Sequence, residues 1–260
     1  MTLPPSADPS DEPADPSAQP LLAHLVELRQ RLIYCLLAIL AGFVIAYVFA
    51  PEIYAFLARP LADASEGAPH RFIYTNLTEA FVSYIRLALW AGCFVAFPLI
   101  AAQVWMFIAP GLYKSERKVF LPFFIATPVL FLIGAALAYY VVMPMAWRFF
   151  LSFESVGGLG ALPIQLEARV AEYLSLSMTL IFAFGLAFEL PLALILLARA
   201  GVLSAAALSS FRRYAIVIIF ATAAVLTPPD LISMICLALP VVLLYEVSIF
   251  GAKWVERTRK

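Results

Sequence analysis

The chain has 260 residues, of which 64% are apolar and only 13% charged, against about 25% charged in soluble domains. Its apolar residues are grouped in long blocks, which excludes an ordinary soluble protein and points to the bilayer. The 17 basic and 17 acidic residues cancel, so bulk charge identifies no partner, and nothing points to nucleic acid.

Residues 1–20 alternate Pro4, Pro5, Pro9, Pro13, Pro16 and Pro20 with Asp8, Asp11, Glu12 and Asp15. With no apolar run and no basic residue, this reads as a disordered acidic tail, not a signal peptide. In Leu21–Ile33 (LLAHLVELRQRLI), Leu21, Leu25, Leu28 and Leu32 recur at helical spacing. That predicts an amphipathic helix at the membrane surface running into the first span. Six spans are expected, at about 31–50, 81–109, 119–142, 172–198, 210–226 and 231–250. Long loops lie at roughly 51–80 and 143–171, where they can cap the bundle, and residues 110–118 form a short turn. The last two apolar stretches, Tyr214–Leu226 and Leu231–Tyr245, rise only about 20 and 22 Å as helices, against a hydrocarbon core of roughly 30 Å. They predict a thin side, joined by the turn Thr227-Pro228-Pro229-Asp230. Pro98, Pro122, Pro128, Pro191 and Pro240 fall inside spans, where each removes a helical hydrogen bond and favours a kink.

An even number of spans puts both ends on one side. That side carries Arg29, Arg31, Lys114, Arg117, Lys118, Arg199, Arg212, Arg213, Lys253, Arg257, Arg259 and Lys260, which is 12 of the 17 basic residues. The positive-inside rule then places both termini in the cytoplasm. The domain layout is a tail at 1–20, a membrane domain at 21–253 and a basic cytoplasmic tail at 254–260. The fold class is all-α: a polytopic membrane protein whose six kinked helices form a curved, concave wall.

Little in the chain suggests catalysis. No phosphate-binding loop is present, and His24 and His70 are the only histidines. Cys35, Cys93 and Cys236 lie in apolar stretches without close spacing and read as packing residues. Neither a metal site nor a cofactor is expected. Carboxylates in unusual places are more informative. Glu27 is spaced to pair with Arg31 one turn on, and Glu116 balances a basic loop. Both also sit on one membrane face at the ends of adjacent spans, where together they can receive a cationic partner, arginine above all. Glu189 lies in Phe182–Leu197 (FAFGLAFELPLALILL) among apolar residues. An ionised carboxylate at that depth is costly, so it should face the bundle, a partner or water. A structural interhelical hydrogen bond is the ordinary alternative.

Several segments together carry a resemblance: HLVELRQRL (24–32), QVWMFIAPGLYKSERK (103–118), FGLAFELP (184–191) and LTPPD (226–230). In this order, at these points of a six-span layout, they closely resemble the TatC family, the multi-spanning receptor component of the twin-arginine protein translocase. The resemblance implies a non-enzymatic protein of the cytoplasmic (inner) membrane. Such proteins export folded cargo bearing twin-arginine signal peptides, driven by the proton-motive force. It implies that Glu27 and Glu116 receive the two arginines, with Arg29, Phe107 and Leu112 shaping the site. Glu189 becomes the intramembrane polar residue of the concave face. Pro60, Thr227 and Asp230 become structural or partner-contact residues. It also implies small single-span partners of the TatA and TatB type, docking near the fifth and sixth spans, and self-association. Met234 stands where family members often carry glutamine, which puts a polar partner contact there in doubt. Two other readings remain: a small-solute transporter using Glu189 as a proton relay, and an assembly scaffold without a peptide site.

Overall fold

A computed structural model describes residues 18–65, 71–112, 117–155, 162, 164–226 and 231–259. It is built from helices α1 (Ala18–Val48), α2 (Ala50–Ala64), α3 (Glu79–Leu112), α4 (Arg117–Leu137), α5 (Met143–Leu151), α6 (Val170–Phe188), α7 (Leu190–Arg199), α8 (Ala205–Leu226) and α9 (Leu231–Arg259). A π-helical segment, Ala138–Val142, joins α4 to α5. Six stretches are long and apolar enough to cross a bilayer: His24–Val48, Glu79–Phe107, Phe123–Leu151, Val170–Arg199, Ala205–Leu226 and Met234–Arg257. The protein is therefore a multi-pass, all-α membrane protein, as a bilayer favours.

Three expectations change. The last two helices are not short: α8 has 22 residues and α9 has 29, or about 33 and 43 Å of rise. Only their apolar sections are short, because each helix continues through polar residues such as Arg212 and Glu256 at the end away from the connecting turn. The loop at 51–80 contains a helix, α2, opened by Pro51 in its first turn, where proline's missing N–H costs nothing. The span predicted at 119–142 runs on to Leu151 through the π segment, which widens the backbone just before Pro144. The acidic tail falls outside the described residues up to position 17. Helix α1 already begins at Ala18, and α9 carries the basic C-terminal tail as helix to Arg259.

Small residues set how closely the helices approach. A Cβ added at Gly42 of α1 would stand 2.6 Å from the Gly92 carbonyl oxygen of α3, and one at Gly92 would stand 2.5 Å from the Phe43 nitrogen. The two backbones therefore touch, and only glycine fits at the crossing. Near the α4–α6 crossing, Phe131 packs over Gly185 and stacks on Phe97 of α3, with ring centroids 3.7 Å apart. Gly201 ends α7 at φ 77°, a left-handed turn that favours glycine.

Both ends of the bundle are stitched by polar contacts. On the face where α8 begins, Ser204 Oγ accepts from the Ala207 N–H and Glu256 accepts from the Ala205 N–H at 2.6 Å. These satisfy donors that every helix start leaves open. Arg212 meets Glu246 of α9 with two contacts, Nε to Oε1 at 2.6 Å and Nη2 to Oε2 at 2.9 Å. On the opposite face, Ile73 and Val170 bond to the segments across from them, at 3.1 Å to the Ala168 carbonyl and 3.0 Å to the Ile73 carbonyl. Arg169 Nη2 reaches Glu79 Oε2 at 3.2 Å, and that oxygen also accepts from the Thr75 N–H at 3.0 Å. The long loops thus cover the ends of α3 and α6, as their length suggested.

Candidate functional site

The first quoted segment, at the start of α1, lies against the second, at the end of α3. Arg31 joins them. Its Nε and Nη2 donate to Oε1 of Glu27 at 3.0 and 2.5 Å. Its Nη1 donates to Gln103 Oε1 at 3.3 Å, and Nη2 also donates to the Met106 carbonyl at 3.2 Å. The last bond has a cause in the sequence. Residue 110 is proline, which has no N–H, so the Met106 carbonyl one turn earlier lacks its helical donor. The guanidinium fills that vacancy from another helix.

Around this centre, His24 stacks on Phe107 with ring centroids 4.3 Å apart and planes 20° apart. His24 Nδ1 stands 4.0 Å from the second oxygen of Glu27, Oε2. Glu27 is thus committed on Oε1 and faces His24 on Oε2. The Arg31 side chain is 20% exposed and that of Glu27 38%, so the carboxylate remains open to solvent.

The structure brings together Glu27 and Phe107 of the expected set, and adds His24, Arg31 and Gln103. Arg29 is exposed, on the side of α1 that carries Leu25, Leu32 and Leu36. The backbone of Leu112 closes α3, but its side chain lies outside the described residues, as do Glu116, Thr227 and Asp230. The sequence did raise the Glu27–Arg31 pair, and it forms. The interhelical contacts of Arg31 and the stacking of His24 leave no trace in local periodicity. The one available sign was that Gln103 and Pro110 recur in the same quoted segment.

Deeper in the molecule, Glu189 falls at a break in a span. The helix stops at Phe188 and restarts at Leu190, with Pro191 in the first turn of α7. Pro191 cannot donate to the carbonyl of Ala187, which explains a break at this point. The Glu189 carboxyl faces the Thr127 hydroxyl and the Phe131 backbone. Its Oε1 is buried and makes no hydrogen bond among the described residues. Thr127 is held in turn, accepting from Trp105 Nε1 at 2.7 Å and donating to the Phe123 carbonyl at 3.1 Å.

On the opposite face, Pro60 is buried inside α2. It frees the Phe56 carbonyl, which accepts from Tyr139 Oη at 2.7 Å. The neighbouring Leu57 carbonyl accepts from Tyr173 Oη at 2.6 Å. Met234 packs against an apolar cluster that includes Phe184, Ala223 and Leu237. An apolar groove of about 390 Å³ runs beside α3, α4 and α6, lined by Trp90, Phe94, Leu132 and Phe182 among others. The described residues contain no group of three or more histidine, cysteine or acidic residues able to hold a metal.

Comparisons with known proteins place the chain in a family. A family model described as Sec-independent protein translocase protein (TatC) matches residues 23–240. The chain is 48% identical over 239 residues to the Sec-independent protein translocase protein TatC of Magnetococcus marinus, covering 92% of this chain and 86% of that one. It is 43% identical to the TatC protein of Rickettsia prowazekii, covering 91% and 93%. A crystal structure of a twin arginine translocase receptor, TatC, superposes with a TM-score of 0.79 at 38% identity, covering 90% of this chain and 99% of that one. The chain belongs to the TatC family: it is a membrane-embedded component of a Sec-independent protein translocase, not an enzyme.

Proposed function

We propose that this chain is the receptor that docks twin-arginine signal peptides for export of folded proteins. Glu27 and Glu116 receive the two arginines, and Arg29, Phe107 and Leu112 shape the site. The observation that carries this reading is the meeting of the two segments around a solvent-open Glu27. A carboxylate with one oxygen not taken by Arg31, beside an aromatic stack, offers a guanidinium both a charge-assisted hydrogen bond and a flat surface. The apolar part of the peptide then enters the bundle, and the groove beside Trp90, Phe94 and Phe182 supplies an apolar wall for it.

Both termini and the docking site face the cytoplasm of the inner membrane, a reading supported by the basic residues gathered on that side. TatA-type and TatB-type single-span proteins pack near α8 and α9, with Thr227 and Asp230 at the connecting turn, and copies of the chain self-associate. The proton-motive force drives transport. Met234 supports an apolar contact, not a polar one, in that region. Glu189 serves as the polar group inside the bundle, beside the helix break.

The test is crosslinking of a twin-arginine peptide to membranes carrying Glu27→Ala with Glu116→Ala. Crosslinking and export should both fall by an order of magnitude or more; undiminished values reject the site. For Glu189, full export by Glu189→Gln but not by Glu189→Leu is expected if a hydrogen bond, not a charge, is what counts. Full export by both removes any polar role.

A further inference from the structure

We propose that Arg31 is a specificity-determining positioning residue, which weakens Glu27 so that the docking site accepts a guanidinium in preference to an ammonium. The inference rests on the reading that Glu27 receives an arginine. Two donors of Arg31 converge on Oε1, at 2.5 and 3.0 Å, so that oxygen is already used. The guanidinium is itself tethered to α3 through Gln103 and the proline-freed Met106 carbonyl. It therefore stays in place when a ligand arrives, and an incoming cation meets Oε2 alone. That oxygen belongs to a carboxylate whose charge is offset by a fixed neighbour.

Such an acceptor treats the two basic side chains differently. A lysine ammonium is a compact, strongly hydrated point charge. It gives up tightly held water, and it needs a full opposing charge in return. A guanidinium is more weakly hydrated, forms directed hydrogen bonds, and lies flat on aromatic rings. The site supplies the flat surface as well, in the His24–Phe107 stack beside Oε2. Reducing the charge of Glu27 thus costs a lysine more than an arginine. Without Arg31, Glu27 would become an ordinary exposed carboxylate, attractive to any cation.

The experiment uses the purified full-length chain and two labelled synthetic peptides. They carry the same apolar stretch preceded by either Arg-Arg or Lys-Lys, and binding is read by fluorescence anisotropy. The quantity of interest is the ratio of the two dissociation constants. Arg31→Gln should shrink the preference for Arg-Arg by more than about twofold, to about fivefold, the upper scale of a partly exposed ion pair, mainly by tightening Lys-Lys binding. Arg31→Lys, which restores the positive charge, should keep the ratio nearer to that of the natural chain. Gln103→Ala removes one tether, leaves Arg31 in place, and should move the ratio in the same direction by less. It decides the matter if Arg31→Gln does not fold. A ratio unchanged within twofold in the folded variants, including equal weakening of both peptides, overturns the proposal and leaves Arg31 a structural residue. Glu27→Ala separates the underlying reading: if it leaves Arg-Arg binding intact, Glu27 is not the receiving group and both inferences fall.

Discussion

Two carbonyls freed by proline, at opposite ends of the molecule, are filled in contrasting ways. At α2, Pro60 frees the Phe56 carbonyl, and the hydroxyl of Tyr139 takes it at 2.7 Å, with Tyr173 on the next carbonyl at 2.6 Å. Both tyrosines are buried, at 8% and 4% exposure, in a cluster with Leu57, Leu87, Met143 and Trp147. These donors are neutral, short-bonded and surrounded by apolar packing. At α3, Pro110 frees the Met106 carbonyl, and a charged guanidinium takes it at 3.2 Å while also serving Glu27 and Gln103. The same backbone vacancy thus makes a fixed lock when a phenol fills it in the interior. It makes a shared, partly solvated contact when an arginine fills it at the rim. A site that must exchange partners needs the second kind, and a scaffold that must hold its shape needs the first.

The largest expected effect breaks the frame that supports the rim. Gly92→Leu would force a side chain into the backbone of α1 at Phe43. We expect a cost of about 3 kcal/mol or more from overpacking that cannot relax. Helix α1 should then part from α3, separating Glu27 from Phe107. Size-exclusion yield after mild solubilisation and peptide binding should fall together. A well-folded Gly92→Leu protein with normal peptide binding would show that the α1–α3 crossing does not hold the site.

Next in size is the lock. Tyr173→Phe and Tyr139→Phe each leave a carbonyl without its phenol donor, at about 1–3 kcal/mol apiece. Thermal unfolding in detergent should drop for each, and further for the pair. Peptide affinity should remain within twofold, since the lock lies far from Glu27 and phenylalanine keeps the ring that Tyr139 adds to the groove wall. Arg31→Gln should show the reverse pattern: a smaller loss of thermal stability, because its bonds are partly solvated, and a clear change in peptide selectivity. If the tyrosine variants also changed peptide selectivity, the two ends would be coupled and the contrast would lose its meaning.

This contrast also marks how far the sequence could be read. Hydropathy located all six spans, because a bilayer requires long apolar blocks whatever the packing. Helix ends were less legible. α8 and α9 run past their apolar sections because Ser204, Glu256 and the Arg212–Glu246 pair stabilise polar turns that hydropathy treats as loop. Helix α2 was hidden by its length and by Pro60 in its interior. At the site, Glu27 was visible as a carboxylate near a span end, and its pairing with Arg31 followed from one-turn spacing. The reach of Arg31 to Gln103 and Met106 crosses 72 and 75 positions of sequence, and no local pattern encodes it. Prolines 60 and 110 stood in the sequence, yet a proline states only that a carbonyl is freed. Which distant side chain fills it is decided by packing.

The smallest expected effect tests that last statement directly. Pro60→Ala returns an N–H one turn after Phe56, so the Phe56 carbonyl regains a helical donor and no longer depends on Tyr139. Two consequences oppose each other: the helix gains a bond and sheds the proline penalty, while Tyr139 loses sole claim to its acceptor and α2 loses part of its tie to the span. The net change in stability should be small, within about 1 kcal/mol, because a lost tertiary hydrogen bond and a gained helical one are of similar size. The informative quantity is the coupling. Tyr139→Phe should cost about 1 kcal/mol less in the Pro60→Ala background than in the natural chain, since contacting groups are not additive. A thermal-unfolding double-mutant cycle measures this. Additive effects would mean that Tyr139 is retained for ring packing on Phe56, with which it stacks at 4.3 Å, and that the freed carbonyl contributes nothing to the lock.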